Sequence, residues 1–188
     1  TIVVPTTHHC RVASEFLRRG VSVFVEKPLA LSVAEADELV ALARSRHVAL
    51  QVGHIERFNP AFEDLQQRSL QPKYIACERH GPFSGRSTDI GVILDLMIHD
   101  LDLVLQLVGS PVVAVDALGV ALFGEHEDVA QARLTFANGC VANLSASRAS
   151  MTPVRRMQAW GPEGFASVDF AKRRLSLVQP TEALRRHG

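Results

Sequence analysis

Two hydrophobic periods divide the chain. Up to about residue 53, short unbroken apolar runs alternate with stretches whose apolar residues recur every three or four positions. "TIVV" (1–4) predicts a strand. Residues 7–19 follow with helical spacing at Val12, Ala13, Phe16 and Leu17 and stop at Gly20. "VSVFV" (21–25) predicts a second strand. Ser32 then opens a helix, with Glu35 three residues on as a capping box and Ala36, Leu39, Val40 and Ala43 as its buried face. "VALQV" (48–52) predicts a third strand, ended by Gly53. Unbroken apolar strands alternating with amphipathic helices imply a parallel sheet covered on both faces.

The pattern then changes. "FNPAFEDLQQRSL" predicts a helix capped by Asn59 with Pro60 in its first position, and residues 73–80 predict a strand. Residues 95–108 form a long apolar helix stopped by Gly109. In "VAQARLTFANGCVANLSAS" the period becomes two, with Ala130, Ala132, Leu134 and Phe136 facing one way and Gln131, Arg133 and Thr135 the other. Asn138-Gly139 predicts a two-residue type I′ hairpin. Strands near 154–160, 164–169 and 174–178 complete an antiparallel sheet. The expected boundary lies near residue 55, separating an α/β part (1–55) from an α+β part (56–188).

Composition narrows the function classes. With 188 residues, 47% of them hydrophobic and 21% charged, the chain has enough apolar surface for a packed core. Twenty basic and 20 acidic side chains cancel, which argues against a nucleic-acid or anionic-membrane partner. The clusters Arg155-Arg156, Lys172-Arg173-Arg174 and Arg185-Arg186 read as solvated surface. Cys10, Cys77 and Cys140 form no CxxC pair, which argues against a disulfide scaffold or zinc ribbon and for a reducing, cytoplasmic setting. Asp95, His99 and similar residues interrupt the apolar runs, so no membrane span is expected. Nor is a metal: His8, His9, Cys10, Asp95 and His99 lack ligand spacing such as HExxH.

Chemistry concentrates after the predicted parallel strands, where open α/β sheets bind ligands. The three followers are Pro5-Thr6-Thr7-His8-His9, Glu26-Lys27-Pro28 and Gly53-His54-Ile55-Glu56-Arg57. Polar loops account for His8 and Arg57, but a lysine between a carboxylate and a proline is an unusual way to end a strand. On the helix "DLMIHDLDLVLQLVG", Asp95, His99, Asp102 and Gln106 fall in one narrow stripe at 100° per residue. That stripe is either a thin solvent-facing edge or a carboxylate and imidazole facing a cavity. In the second case Asp95 orients His99 for proton transfer.

Through "VVPTTHHCRVASEFLRRGVSVFVEKPLALS", "VGHIERFNPAF" and "DIGVILDLMIHDLDLVLQLVG", the chain resembles the Gfo/Idh/MocA family of nicotinamide-dependent sugar oxidoreductases. Within it, "GHIERFNP" is most similar to members that oxidise the 3-hydroxyl of UDP-N-acetylglucosamine or a related UDP-sugar. The resemblance implies the C-terminal half of a Rossmann-type parallel sheet in residues 1–55. An open, mainly antiparallel sheet with helices on one face is expected to follow. It implies NAD or NADP as cofactor, a sugar or nucleotide-sugar substrate, and a homo-oligomer, dimer or tetramer. Lys27, preceding a cis proline, would contact the reacting hydroxyl, and Lys27, Asp95 and His99 would form the catalytic, substrate-facing set. Pro5, Thr6 and His9 would line the dinucleotide, with Glu26, Lys27, Pro28 and Arg57 at its nicotinamide end. Two alternatives share the scaffold: an NAD-dependent glycosidase and a non-catalytic ligand-binding or assembly protein. The family's opening GxGxxG turn and acidic residue are absent from these residues. About 60 further residues are therefore expected before Thr1, with more after the end, and activity is expected of the full-length protein.

Overall fold

In the computed structural model, described over residues 1–85 and 89–181, the chain forms two units, Thr1–His54 and Ile55–Gly188. The Arg185-Arg186 cluster lies outside the described residues.

The first unit is built on parallel pairing. Strand β1 (Val23–Val25) runs beside β2 (Leu50–Val52) with Val23 opposite Leu50 and Val25 opposite Val52. The expected first strand contracts to a single parallel bridge between Ile2 and Val25. It is held by Ile2 N donating to Phe24 O (2.7 Å) and Glu26 N donating to Ile2 O (3.1 Å). A 3-10 turn (Thr6–His8) leads into α1 (His9–Arg18), and α2 (Val33–Arg46) joins β1 to β2. Ser32 Oγ accepts from Glu35 N (3.2 Å), while the Glu35 carboxylate accepts from Leu31 N (3.0 Å), one residue earlier than in a regular capping box.

Both helices lie on one face. Ala13 and Leu17 of α1 pack with Leu39 and Ala43 of α2 over Val23 and Val25. On the other face Gln51, opposite Phe24, is exposed. Within Thr1–His54 both connecting helices thus cover the same face. Two right-handed crossovers running in the same direction place both helices on the same side.

The second unit opens with a 3-10 turn (Ile55–Phe58) and α3 (Pro60–Gln66), whose N-cap Asn59 accepts from Ala61 N (3.2 Å). Its seven-stranded sheet comprises β3 (Tyr74–His80), β4 (Val112–Val120), β5 (Val129–Phe136), β6 (Val141–Ser147), β7 (Val154–Gly161), β8 (Gly164–Asp169) and β9 (Arg174–Val178). The order is β4-β5-β6-β3-β7-β8-β9, antiparallel except for the parallel pair β3–β6. A π-helical turn (Ile93–Met97) leads into α4 (Ile98–Val108), which ends at Gly109 with φ 58°. Phe62, Leu65, Met97, Leu103 and Val104 from the helical segments pack against one sheet face, where Ile75, Cys77, Ala142, Leu144, Met157 and Ala159 are buried. The opposite face is open.

Two details differ from the pattern reading. Strand β4 went unpredicted because "VVAVDALGV" does not alternate; it is an edge strand, with Val113 62% and Val115 64% exposed. The β5–β6 connection spans four residues, 137–140. Gly139 has φ 80° and donates to Phe136 O (2.9 Å), and Phe136 N donates to Cys140 O (2.9 Å). Asn138 keeps a negative φ and its Oδ1 accepts from Cys140 N (3.1 Å), so the turn is not type I′, which needs positive φ at both residues.

A buried carboxylate braces the approach to the π-helical turn. Asp128 accepts from Leu122 N (2.6 Å), Phe123 N (2.8 Å) and Arg148 Nε (2.5 Å), and Arg148 Nη1 donates to Ile90 O (3.0 Å). Next to it, Glu127 Oε1 accepts from Ile93 N (3.1 Å), and a Cβ at Gly91 would come within 1.9 Å of that carboxylate. The backbone amides, followed by Arg148, lower the Asp128 pKa to about 2. The stabilisation this represents is complete above the ordinary carboxylate range and lost as pH falls from about 4 towards 2. Asp128→Asn is expected to flatten the decline of the urea midpoint over that window and to lower the midpoint near neutrality. An unchanged acid limb would contradict this brace.

Candidate active site

In the first unit the residues after β1 and the Ile2 bridge form a small, tied loop cluster. Pro5 is exposed and caps the 3-10 turn, its carbonyl accepting from His8 N (2.9 Å), and Thr6 is partly buried. His9 is only 1% exposed, with Nδ1 2.7 Å from the Pro28 carbonyl oxygen and Nε2 2.9 Å from that of Val4. This corrects the expectation that His9 lines a ligand: both ring nitrogens are engaged behind the loops, joining the chain before Pro5 to the bend after Lys27. The Lys27–Pro28 bond is cis, and Glu26 and Lys27 are partly buried. Gly53 allows the close approach of β2's end to this bend, since a Cβ there would lie 3.1 Å from Glu26 Oε2 and from the Phe24 ring.

In the second unit the π-helical turn alters the stripe expected from a uniform α-helix, because an i→i+5 turn is wider than an i→i+4 one. Asp95 lines a cavity of about 370 Å³, shared with Leu96, Arg79, Arg148, Pro153 and Arg155. His99 is partly buried on α4, and Gln106 is exposed. Asp102 is no surface residue. Its side chain is 11% exposed and accepts both Nε (2.7 Å) and Nη2 of Arg57, whose pKa is raised mainly by that bonding.

The residue between them proved central. Asp100, 1% exposed, accepts Nε (3.1 Å) and Nη2 (2.8 Å) of Arg79, which is itself 3% exposed. Arg79 Nη1 donates to Glu56 Oε1 (3.1 Å), and the guanidinium lies 5.6 Å from the centre of the Phe170 ring. Asn59 Nδ2 completes the set, donating to Glu56 Oε2 (3.3 Å) and Phe170 O (3.1 Å). Burial pushes the Asp100 carboxyl up, and the charge and hydrogen bonds of Arg79 oppose that shift. Asp100 and Asp102, either side of Leu101 and just after His99, are thus clamped by two arginines. The turn Ile55–Phe58 contributes to each clamp, Arg57 holding Asp102 and Glu56 joining Arg79 and Asp100.

Pattern reasoning passed over this network although a signal existed. In β3 the inward positions are Ile75, Cys77 and Arg79, and an arginine in core phase demands a carboxylate partner. No group of three or more His, Cys, Asp or Glu able to hold a metal occurs among the described residues. A separate hollow of about 440 Å³ on the open sheet face, lined by Glu78, Asp116, Arg133 and Gln158 among others, holds none of the predicted site residues.

Comparison with known proteins covers both units. Residues 1–54 match the model of the oxidoreductase family with an NAD-binding Rossmann fold (GFO_IDH_MocA), and residues 63–167 match the GFO/IDH/MocA C-terminal domain. The chain is 46% identical to UDP-N-acetylglucosamine 3-dehydrogenase of Acidithiobacillus ferrooxidans, over 94% of this chain and 57% of that protein. It is 30% identical to scyllo-inositol 2-dehydrogenase (NAD(+)) of Bacillus subtilis, over 79% of this chain and 48% of that one. A solved structure of the A. ferrooxidans enzyme superposes with a TM-score of 0.90 at 46% identity, covering 95% of this chain and 59% of that one. GenD2 from gentamicin A biosynthesis, solved in complex with NAD, gives 0.80 at 26% identity, covering 89% and 53%. The chain therefore spans about half the length of the curated relatives it matches.

The buried clamp yields a direct expectation. Arg79→Leu leaves the Asp100 and Glu56 carboxylates without their cation and should cost roughly 3–5 kcal/mol of unfolding free energy. Replacing Asp100 by Leu as well should recover much of that loss in urea titrations. A single variant as stable as the unaltered protein would show that the clamp does not hold α4.

Proposed function

The chain belongs to the Gfo/Idh/MocA oxidoreductase family, and from that footing we propose that its full-length protein oxidises a hydroxyl of a sugar or nucleotide-sugar, with NAD or NADP as hydride acceptor. The observation that carries this reading is the family match across both units; Lys27, Asp95 and His99 are the residues to which we assign the chemistry. The 3-hydroxyl of a UDP-sugar is the specific target we favour, on the strength of the 46% identity to a dehydrogenase of that name.

The first unit suits the nicotinamide end of such a cofactor. The cis bend at Lys27–Pro28 is fixed from behind by His9, and the Cβ-free approach at Gly53 packs the end of β2 closely against Glu26. Pro5, Thr6, Glu26, Lys27 and Pro28 would hold that end, with Arg57 acting through its clamp on Asp102. The glycine-rich turn that cradles a pyrophosphate is not among these residues. A bound nicotinamide supplies the hydride acceptor.

The chain's own residues manage the proton and the developing charge. His99 takes the proton of the substrate hydroxyl, with Asp95 orienting the imidazole. The Lys27 ammonium steadies the oxygen as it gains alkoxide character. Asp95 also reaches the substrate directly, since it lines the cavity of the second unit.

A homo-oligomer is proposed from the open sheet face and the exposed apolar residues of edge strand β4. Cytoplasmic residence is proposed from the three free cysteines. No helix among the described residues is long and apolar enough to cross a membrane.

Two assays test the reading in the full-length protein. Accumulation of NADH or NADPH with a UDP-sugar identifies a dehydrogenase, whereas sugar release without it identifies a glycosidase. Lys27→Ala should lower kcat by about 100-fold or more while the cofactor Kd moves far less. Equal loss of both, or unimpaired turnover, would count against the role given to Lys27.

A further inference from the structure

We propose that Arg155 is a specificity-determining residue that receives the phosphoryl oxygens of a nucleotide-sugar; this rests on the oxidoreductase reading above. The cavity lined by Asp95 contains three guanidinium-bearing residues, Arg79, Arg148 and Arg155. Its volume, about 370 Å³, is that of a small-molecule site. Arg79 and Arg155 stand directly opposite each other in the β3–β7 pairing, a like-charge arrangement that destabilises a sheet unless anions compensate. Arg79 has Asp100 and Glu56, and Arg148 has Asp128 and the Ile90 carbonyl.

Arg155 differs. Its side chain is exposed and makes no direct hydrogen bond or ion pair among the described residues, its charge acting on Asp100 only through space. It shares the inward phase of Met157 and Ala159 on β7, which is why it belongs to the cavity, while its neighbour Arg156 pairs with Glu78 on the open face. The sequence-based reading of Arg155-Arg156 as one solvated pair is thus corrected by the strand's period of two. A planar guanidinium fork with unfilled donors suits phosphate oxygens. The Asp95 carboxylate in the same cavity suits sugar hydroxyls and repels an anion. A ligand with hydroxyls at one end and a phosphoryl group at the other matches the charges of this cavity, with Arg155 taking the phosphoryl end.

The test is calorimetric titration of the full-length protein, Arg155→Gln and Arg155→Lys with UDP, uridine and inorganic phosphate. The side chain of Arg155 holds no structural bond, and thermal unfolding verifies that each variant folds. UDP should bind about tenfold or more weakly to Arg155→Gln, as expected for loss of a charge-assisted hydrogen bond, while uridine binding is unchanged. Arg155→Lys should fall between the two. Equal UDP affinity with and without Arg155, or an equal loss for uridine, overturns the proposal. Inorganic phosphate binding as tightly as UDP in an Arg155-dependent way overturns it too, by revealing a site for free anions. Because titration needs no turnover, a protein that binds UDP through Arg155 yet forms no reduced cofactor defeats only the oxidoreductase reading.

Discussion

A guanidinium inside a protein core has to be neutralised where it lies, and Arg79 imposes that requirement on the second unit. Its position on β3 points it inward beneath the helices. The carboxylate that meets it is Asp100, in the first turn of α4, and Glu56 from the turn Ile55–Phe58 takes the remaining face. An apolar pair of similar volume would hold strand to helix as well or better, so stability alone does not explain an ion pair here. A bidentate contact fixes orientation more sharply than apolar packing. His99 directly precedes Asp100, and its place on α4 is set by the same contact.

The first unit uses a buried histidine in a comparable way. His9 is buried behind two loops and ties the carbonyls of Val4 and Pro28 to one ring. Lys27 lies on the bend held in this way. Each unit thus carries a candidate residue beside a buried polar group whose hydrogen bonds hold the chain there. Lys27 has His9; His99 has Asp100 and Arg79.

Much of this was legible in the chain, and the misses have physical causes. Strands β5 and β6 were read from a period of two, and the caps at Ser32 and Asn59 from side chains that accept from early helix amides. Edge strand β4 escaped because only one side of it is paired and its valines face solvent, so burial never imposed an alternating pattern. The π-helical turn escaped because uniform 100° spacing assumes an unbroken α-helix. Of the site, Lys27 stood out by its chemistry, and Asp95 and His99 by their spacing. His9 was misplaced because a histidine at a loop is indistinguishable in sequence from one behind it. Arg79 and Arg155 were passed over because basic residues were weighed as clusters rather than by the phase of the strand carrying each.

In the proposed reaction a carbon-bound hydrogen leaves a sugar as hydride while the side chains of this chain manage the proton and the charge on oxygen. UDP-N-acetylglucosamine deuterated at C3, incubated with the full-length protein and NAD or NADP, tests this most directly by mass spectrometry of the recovered cofactor. Deuterium on the reduced nicotinamide, at one atom per molecule of ketosugar formed, is the predicted result. Consumption of the substrate with the label retained in the sugar or lost to water would contradict it.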